Sequence, residues 1–133
     1  QAPEIAMFAQ FFSLVLVNTY SWFGGQGYCA YDFAVIEQAN AYENVEITLR
    51  PQYDPQNTAS GNTELQDETI TLESLGTSRM DSQQAVKIET DCNVTGFAVV
   101  KATANADGRQ VDLLREKAVE IQSYQPLRLT IGE

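Results

Sequence analysis

The sequence predicts an all-β fold, on three observations. Apolar and polar residues alternate with a period of two: Val45, Ile47 and Leu49 against Glu46, Thr48 and Arg50, with the same pattern in ETITLESLG and QQAVKIET. Turn residues (Gly, Pro, Asn, Asp) recur between these segments at short intervals. Two cysteines, Cys29 and Cys92, lie far apart, in an early and a late strand-like segment. The chain of 133 residues reads as a single domain over 1–133, long enough for one continuous core.

The elements follow in order. Residues 5–17, IAMFAQFFSLVLV, are strongly apolar but shorter than the ~20 residues that span a membrane as a helix. Ile5, Phe8, Ala9, Phe12, Val15 and Leu16 fit helical spacing. The β-branched residues and the β-rich neighbourhood tip the reading towards a strand buried on both faces. Such a strand must be covered, because an exposed apolar edge invites pairing with another chain. A Gly-rich bend follows, and then Cys29, Tyr31, Phe33 and Val35 alternate with Ala30, Asp32 and Ala34. QANAYEN reads as a turn before the strand around 45–50. PQYDPQNTASGNTELQDE is polar, with two prolines and one glycine, and reads as a long mobile surface loop. From Cys92 to Ala104 the apolar parity changes at Gly96, which predicts a β-bulge. Asp107-Gly108 is a hairpin signal. VDLLREKAVEIQ is readable as one helical patch or as two strands joined by a charged turn; the second is preferred. Leu127, Leu129 and Ile131 close the chain with a last alternation.

Seven to eight short strands with an early-to-late cysteine pair predict an immunoglobulin/fibronectin type III-like β-sandwich. An immunoglobulin domain buries a tryptophan between its cysteines. Here the single tryptophan, Trp22, precedes Cys29, which favours the fibronectin-like variant.

Composition excludes several function classes. The net charge of −10, with only 8 basic residues, argues against nucleic acid and against an anionic membrane. The first basic residue is Arg50, so the N-terminal third carries acids only, which suits a soluble surface or a basic partner. Histidine is absent, which removes the commonest general base and metal ligand. The cysteines lack metal-ligand spacing. They fit one structural disulfide in an oxidising compartment, two buried thiols being the alternative. That bond would remove roughly 4 kcal/mol of unfolded-state entropy on the loop-closure model. The start, QAPEIAMF, reads as a mature end left by signal cleavage, an artificial start being the alternative. Together these place the chain outside the cytoplasm, secreted or periplasmic.

The candidate motifs carry binding rather than chemistry. GGQG lacks the following helix that a dinucleotide fingerprint needs. Its glycines, Gly24, Gly25 and Gly27, read instead as a hinge that tolerates positive φ. The acid pairs Asp67/Glu68 and Asp112/Glu116 read as solvated surface, not as a hydrolytic pair. The stretch 54–68 offers oxygen ligands without the calcium-loop spacing. No catalytic residue, cofactor or metal is therefore expected. Asn93-Val94-Thr95 is a formal glycosylation sequon, but its place in an expected core strand argues against occupancy. Tyr20, Trp22, Phe23 and Tyr28 crowd the Gly-rich bend. They are core residues or, in the functional reading, anchors of a protein interface. With the apolar leading strand they suggest a homodimer in which that strand is exchanged between protomers about the glycine hinge.

A long apolar N-terminal strand, a Gly-rich crossover, YCAYDF with Cys29, and DCNVTGFAVVKATA with Cys92, in an acidic exported chain, resemble the small bacterial interleukin receptor mimic proteins of pathogenic Escherichia coli. The resemblance covers the whole chain and rests on overall pattern rather than one diagnostic motif. It implies a fibronectin type III-like fold, a domain-swapped dimer, and binding of host cytokines in imitation of their receptors. It supplies no catalytic residues and transfers no contact residue. A second, weaker resemblance is to the periplasmic curli-assembly chaperones, whose close CxC pair is missing here. That resemblance implies the alternative function, an assembly factor that pairs a strand with a client protein.

Overall fold

A computed structural model describes residues 12–21, 26–37, 42–75, 82–122 and 127–132. Residues 5–11, Trp22, Phe23, Gly24 and Gly25 lie outside the described residues, as do residues 38–41 of the expected turn QANAYEN; its last three residues, Tyr42, Glu43 and Asn44, open strand β3 instead. Among the described residues there are nine strands and no helix: β1 (Phe12–Ser21), β2 (Tyr28–Glu37), β3 (Tyr42–Gln52), β4 (Glu68–Leu75), β5 (Ser82–Asp91), β6 (Gly96–Ala106), β7 (Arg109–Asp112), β8 (Val119–Gln122) and β9 (Arg128–Ile131). The count exceeds the expected seven to eight because the C-terminal part divides into three strands of four residues each.

The strands form two sheets. One runs β5-β2-β1-β8 and the other β4-β3-β6-β7, with β9 also on β6. Neighbours are antiparallel except β1 with β8 and β6 with β9, which are parallel. The far edge of β6 is shared: β7 pairs with Thr103–Ala106, and β9 with Gly96–Val99. A chain that must serve both sheets near its end can give each only a short strand.

The core lies between the sheets. Phe97 of β6 stands edge-on to two rings of the opposite sheet, Tyr31 at 5.3 Å and Phe33 at 5.5 Å between centroids. Val45, Ile47 and Leu49 are fully buried, as their alternation predicts. Strand β2 departs from simple alternation, because Ala30 and Ala34 are buried as well. It lies inside its sheet between β1 and β5, where methyl groups are shielded by the flanking strands. The preferred reading of 111–122 holds: β7 and β8 are joined by the turn at 113–117. The Asp-Gly hairpin is present too, with φ of 55° at Asp107 and 78° at Gly108, the left-handed pair of a type I′ turn.

Two local expectations are corrected. Gly96 is no bulge; it opens β6, and Cys92–Thr95 is the connection from β5. The parity change marks that turn. Irregularities in register lie elsewhere, between Leu16 and Asn18 in β1 and at two points of the β3–β6 ladder. Gly96 is needed for another reason, since a Cβ there would lie 2.5 Å from the Arg128 carbonyl oxygen of β9. Strand β3 also runs further than its alternation suggests, to Gln52. It accommodates Pro51 because the β3–β4 ladder ends at Leu49 opposite Glu68, leaving no partner on that side for the missing N–H.

Candidate functional site

The Gly27 bend, the β5–β6 turn and the 53–67 loop meet at one end of the sheets. Gln26 and Gly27 have φ of 73° and 85°, so the chain reverses tightly just before β2. Cys29, the second residue of β2, is bonded to Cys92 of the turn, with Cα atoms 4.9 Å apart. The Cys92 amide donates to the Gly27 carbonyl at 2.8 Å. The bend is thus tied to the turn twice, once covalently.

Asp91 is the residue on which this end is built. It closes β5 and is 0% exposed. Its carboxylate accepts hydrogen bonds from the Ala59 amide at 2.9 Å, the Ser60 amide at 2.8 Å, the Ser60 hydroxyl at 2.5 Å and the Asn93 amide at 2.8 Å. Burial alone would raise its pKa. The Ser60 hydroxyl and the amides of Ala59, Asn93 and Ser60 outweigh that, and the carboxyl titrates below its ordinary value. The backbone carbonyl of Asp91 accepts from the Tyr31 hydroxyl at 2.5 Å. Burial, and then the Asp91 charge, push the Tyr31 hydroxyl up to about 12, against a smaller opposing effect of the Val94 backbone.

The 53–67 loop is therefore pinned, not the free surface excursion its composition suggests. Asn93 Nδ2 donates to the Asn57 carbonyl at 2.7 Å, and the Leu65 amide donates to the Tyr53 hydroxyl at 2.9 Å. Arg50 makes two bonds to Asp67 at the base of the loop, at 3.1 and 3.0 Å. Polar composition hides this because every clasp is polar.

The carboxylate pairs have local tasks. Asp67 is engaged by Arg50, and Glu68 is raised by burial and then by the Asp67 charge. Asp112 accepts from the Leu114 and Arg115 amides, closing the turn after β7. Among the described residues no group of three or more acids or cysteines is placed to hold a metal ion. The Asn93 sequon lies on the β5–β6 turn rather than in a core strand, with Asn93 and Thr95 exposed and Val94 buried.

Of the four candidate aromatic residues, Tyr28 is 39% exposed and stands beside the bend. Tyr20 lies in β1 opposite Ala30. Trp22 and Phe23, with Gly24 and Gly25, fall outside the described residues. Asp91 was missed at the level of sequence. Its signal was the Asp-Cys-Asn order, in which an Asp side chain accepts the amide two residues on.

A family model described as interleukin receptor mimic protein A matches residues 14–121 of this chain. The chain belongs to the interleukin receptor mimic protein A family. The matched region runs from β1 to β8 and so includes both cysteines and the whole Asp91 end. A solved structure of the family, IrmA from Escherichia coli, is similar with a TM-score of 0.61 and 25% sequence identity, covering 90% of this chain and 97% of that one. No curated protein matches the chain. The family's description names a receptor mimic, not an enzyme. No described helix is long and apolar enough to cross a membrane.

Proposed function

We propose that this chain is a secreted or periplasmic protein-binding module that imitates host cytokine receptors and binds cytokines. The observation that carries the reading is the family match over residues 14–121. The architecture supports it. Two packed sheets, ordered β5-β2-β1-β8 and β4-β3-β6-β7, suit a fibronectin type III-like sandwich, a fold built to display loops. The disulfide suits an oxidising compartment. The contact surface combines Tyr20, Trp22, Phe23 and Tyr28 with acidic side chains, and the partner presents a basic face. The working form is a homodimer that exchanges its leading strand about Gly24, Gly25 and Gly27. Strand β1 is flanked by β2 and β8, so a partner's β1 would meet the same two ladders. Surface plasmon resonance against a panel of interleukins tests the reading, with micromolar or tighter binding expected. No binding to any of them at that concentration would overturn it.

A second reading, an assembly factor that pairs a strand with a client, is favoured by one feature. Among the described residues, strand β5, ten residues long, stands at the end of its sheet beside β2. Delay of amyloid-client fibre growth by sub-stoichiometric protein would support it.

A further inference from the structure

We propose that the 53–67 loop is a latch on the Gly27 bend, with the Asp91 carboxylate as its catch. Its consequence for strand exchange rests on the reading of Gly27 as a hinge residue given above.

The latch is visible in how closely the two backbones approach. A Cβ built on Gly27 would lie 2.4 Å from the Ala59 carbonyl carbon, 2.5 Å from its oxygen and 2.6 Å from the Ser60 nitrogen. The loop backbone therefore lies flat on the bend, in space only a glycine leaves open. The Cys92 amide holds the Gly27 carbonyl at 2.8 Å. Gly27 is thus confined between the loop and the β5–β6 turn.

Asp91 joins those two confining pieces. It collects both amides and the hydroxyl that Ala59 and Ser60 present, and it collects the Asn93 amide from its own turn. The segment around 59–60 leaves the bend only when those bonds open, together with the Asn93–Asn57 bond. The rest of the loop keeps its own ties, Tyr53 to Leu65 and Arg50 to Asp67. Opening is accordingly local to the part that covers Gly27. A buried carboxylate that bonds to backbone amides across 31 and 32 positions of chain serves long-range closure, since the local Asx turn needs only the Asn93 bond.

Energetic coupling between two sites is reciprocal, which makes the latch testable from both ends. Amide hydrogen exchange is followed by NMR on the full oxidised chain and on two variants. Ser60→Ala loosens the catch from the loop side and is read at the Tyr28 and Cys92 amides. Gly27→Ala pushes from the bend and is read at the Ala59 and Ser60 amides. Each substitution is expected to speed exchange at the opposite site by about tenfold, within the usual range of such couplings, with the centre of β3 unchanged. Acceleration confined to the substituted side, or none, overturns the latch. If Gly27→Ala fails to fold, Ser60→Ala decides alone. Light scattering and the mixing of isotope-labelled chains run in parallel. A monomer would remove strand exchange from the proposed function, while the exchange data still decide the latch. In a dimer, Ser60→Ala is expected to speed mixing of the chains, and an unchanged rate would detach the latch from exchange.

Discussion

The Ser60 hydroxyl lies 2.5 Å from Asp91 Oδ2, and the Ser60 amide reaches the same oxygen at 2.8 Å. One loop residue thus gives two donors to one buried carboxylate oxygen. Charge-assisted bonds of this kind are roughly twice as strong as neutral ones. Asp91→Asn keeps the shape but loses the charge and turns two hydrogens towards donors. It is expected to cost roughly 2–4 kcal/mol, read from urea unfolding midpoints.

The same carboxylate makes stability depend on acid. Its folded pKa is depressed, so its contribution is present above the unfolded value, near 3.9, and is lost as pH falls through the folded value. The gap in stability between the native chain and Asp91→Asn should therefore narrow below about pH 4. A gap that stays constant down to pH 2 would assign the bonds no charge dependence.

Tyr31 acts at the other end of the scale. Its hydroxyl is raised from 10.0 to about 12 in the folded chain. A raised pKa contributes stability below the unfolded value and loses it as pH rises through the folded one. Unfolding measured between pH 9 and 12 should show a loss that Tyr31→Phe lacks, and ultraviolet titration should show a late-ionising component that Tyr31→Phe removes.

The disulfide spans 63 positions of sequence. On the loop-closure model its reduction is expected to lower stability by roughly 4 kcal/mol. Guanidinium unfolding with and without a dithiol measures this. Thiol titration of the native protein should find no free sulfhydryl.

Phe97 is fully buried and touches two rings of the opposite sheet. Phe97→Ala is expected to cost roughly 3–5 kcal/mol, because it removes both edge contacts and leaves a cavity between the sheets. The thermal unfolding midpoint reports it.

Val45, Ile47 and Leu49 were legible because a period of two states which face is buried before any partner is known. Asp107-Gly108 was legible because left-handed turn geometry restricts residue choice locally. Cys92 was misplaced in a strand because the β5–β6 connection carries Cys92 and Val94 at strand-like spacing, and Val94 is buried. The pinned loop was not legible, since Asn57, Ala59 and Ser60 look like any polar loop residues until their partners are known.

From its residues alone this protein is an all-β, disulfide-capable, acidic chain without histidine chemistry, because alternation, charge and residue type act locally and need no contact map. Folding alone decided that Asp91 organises one end, that Gly27 lies beneath Ala59 and Ser60, and that the last strands divide between two sheets. Those depend on which distant segments share a few ångströms of space, and hydrogen bonds between such segments leave no period in the sequence.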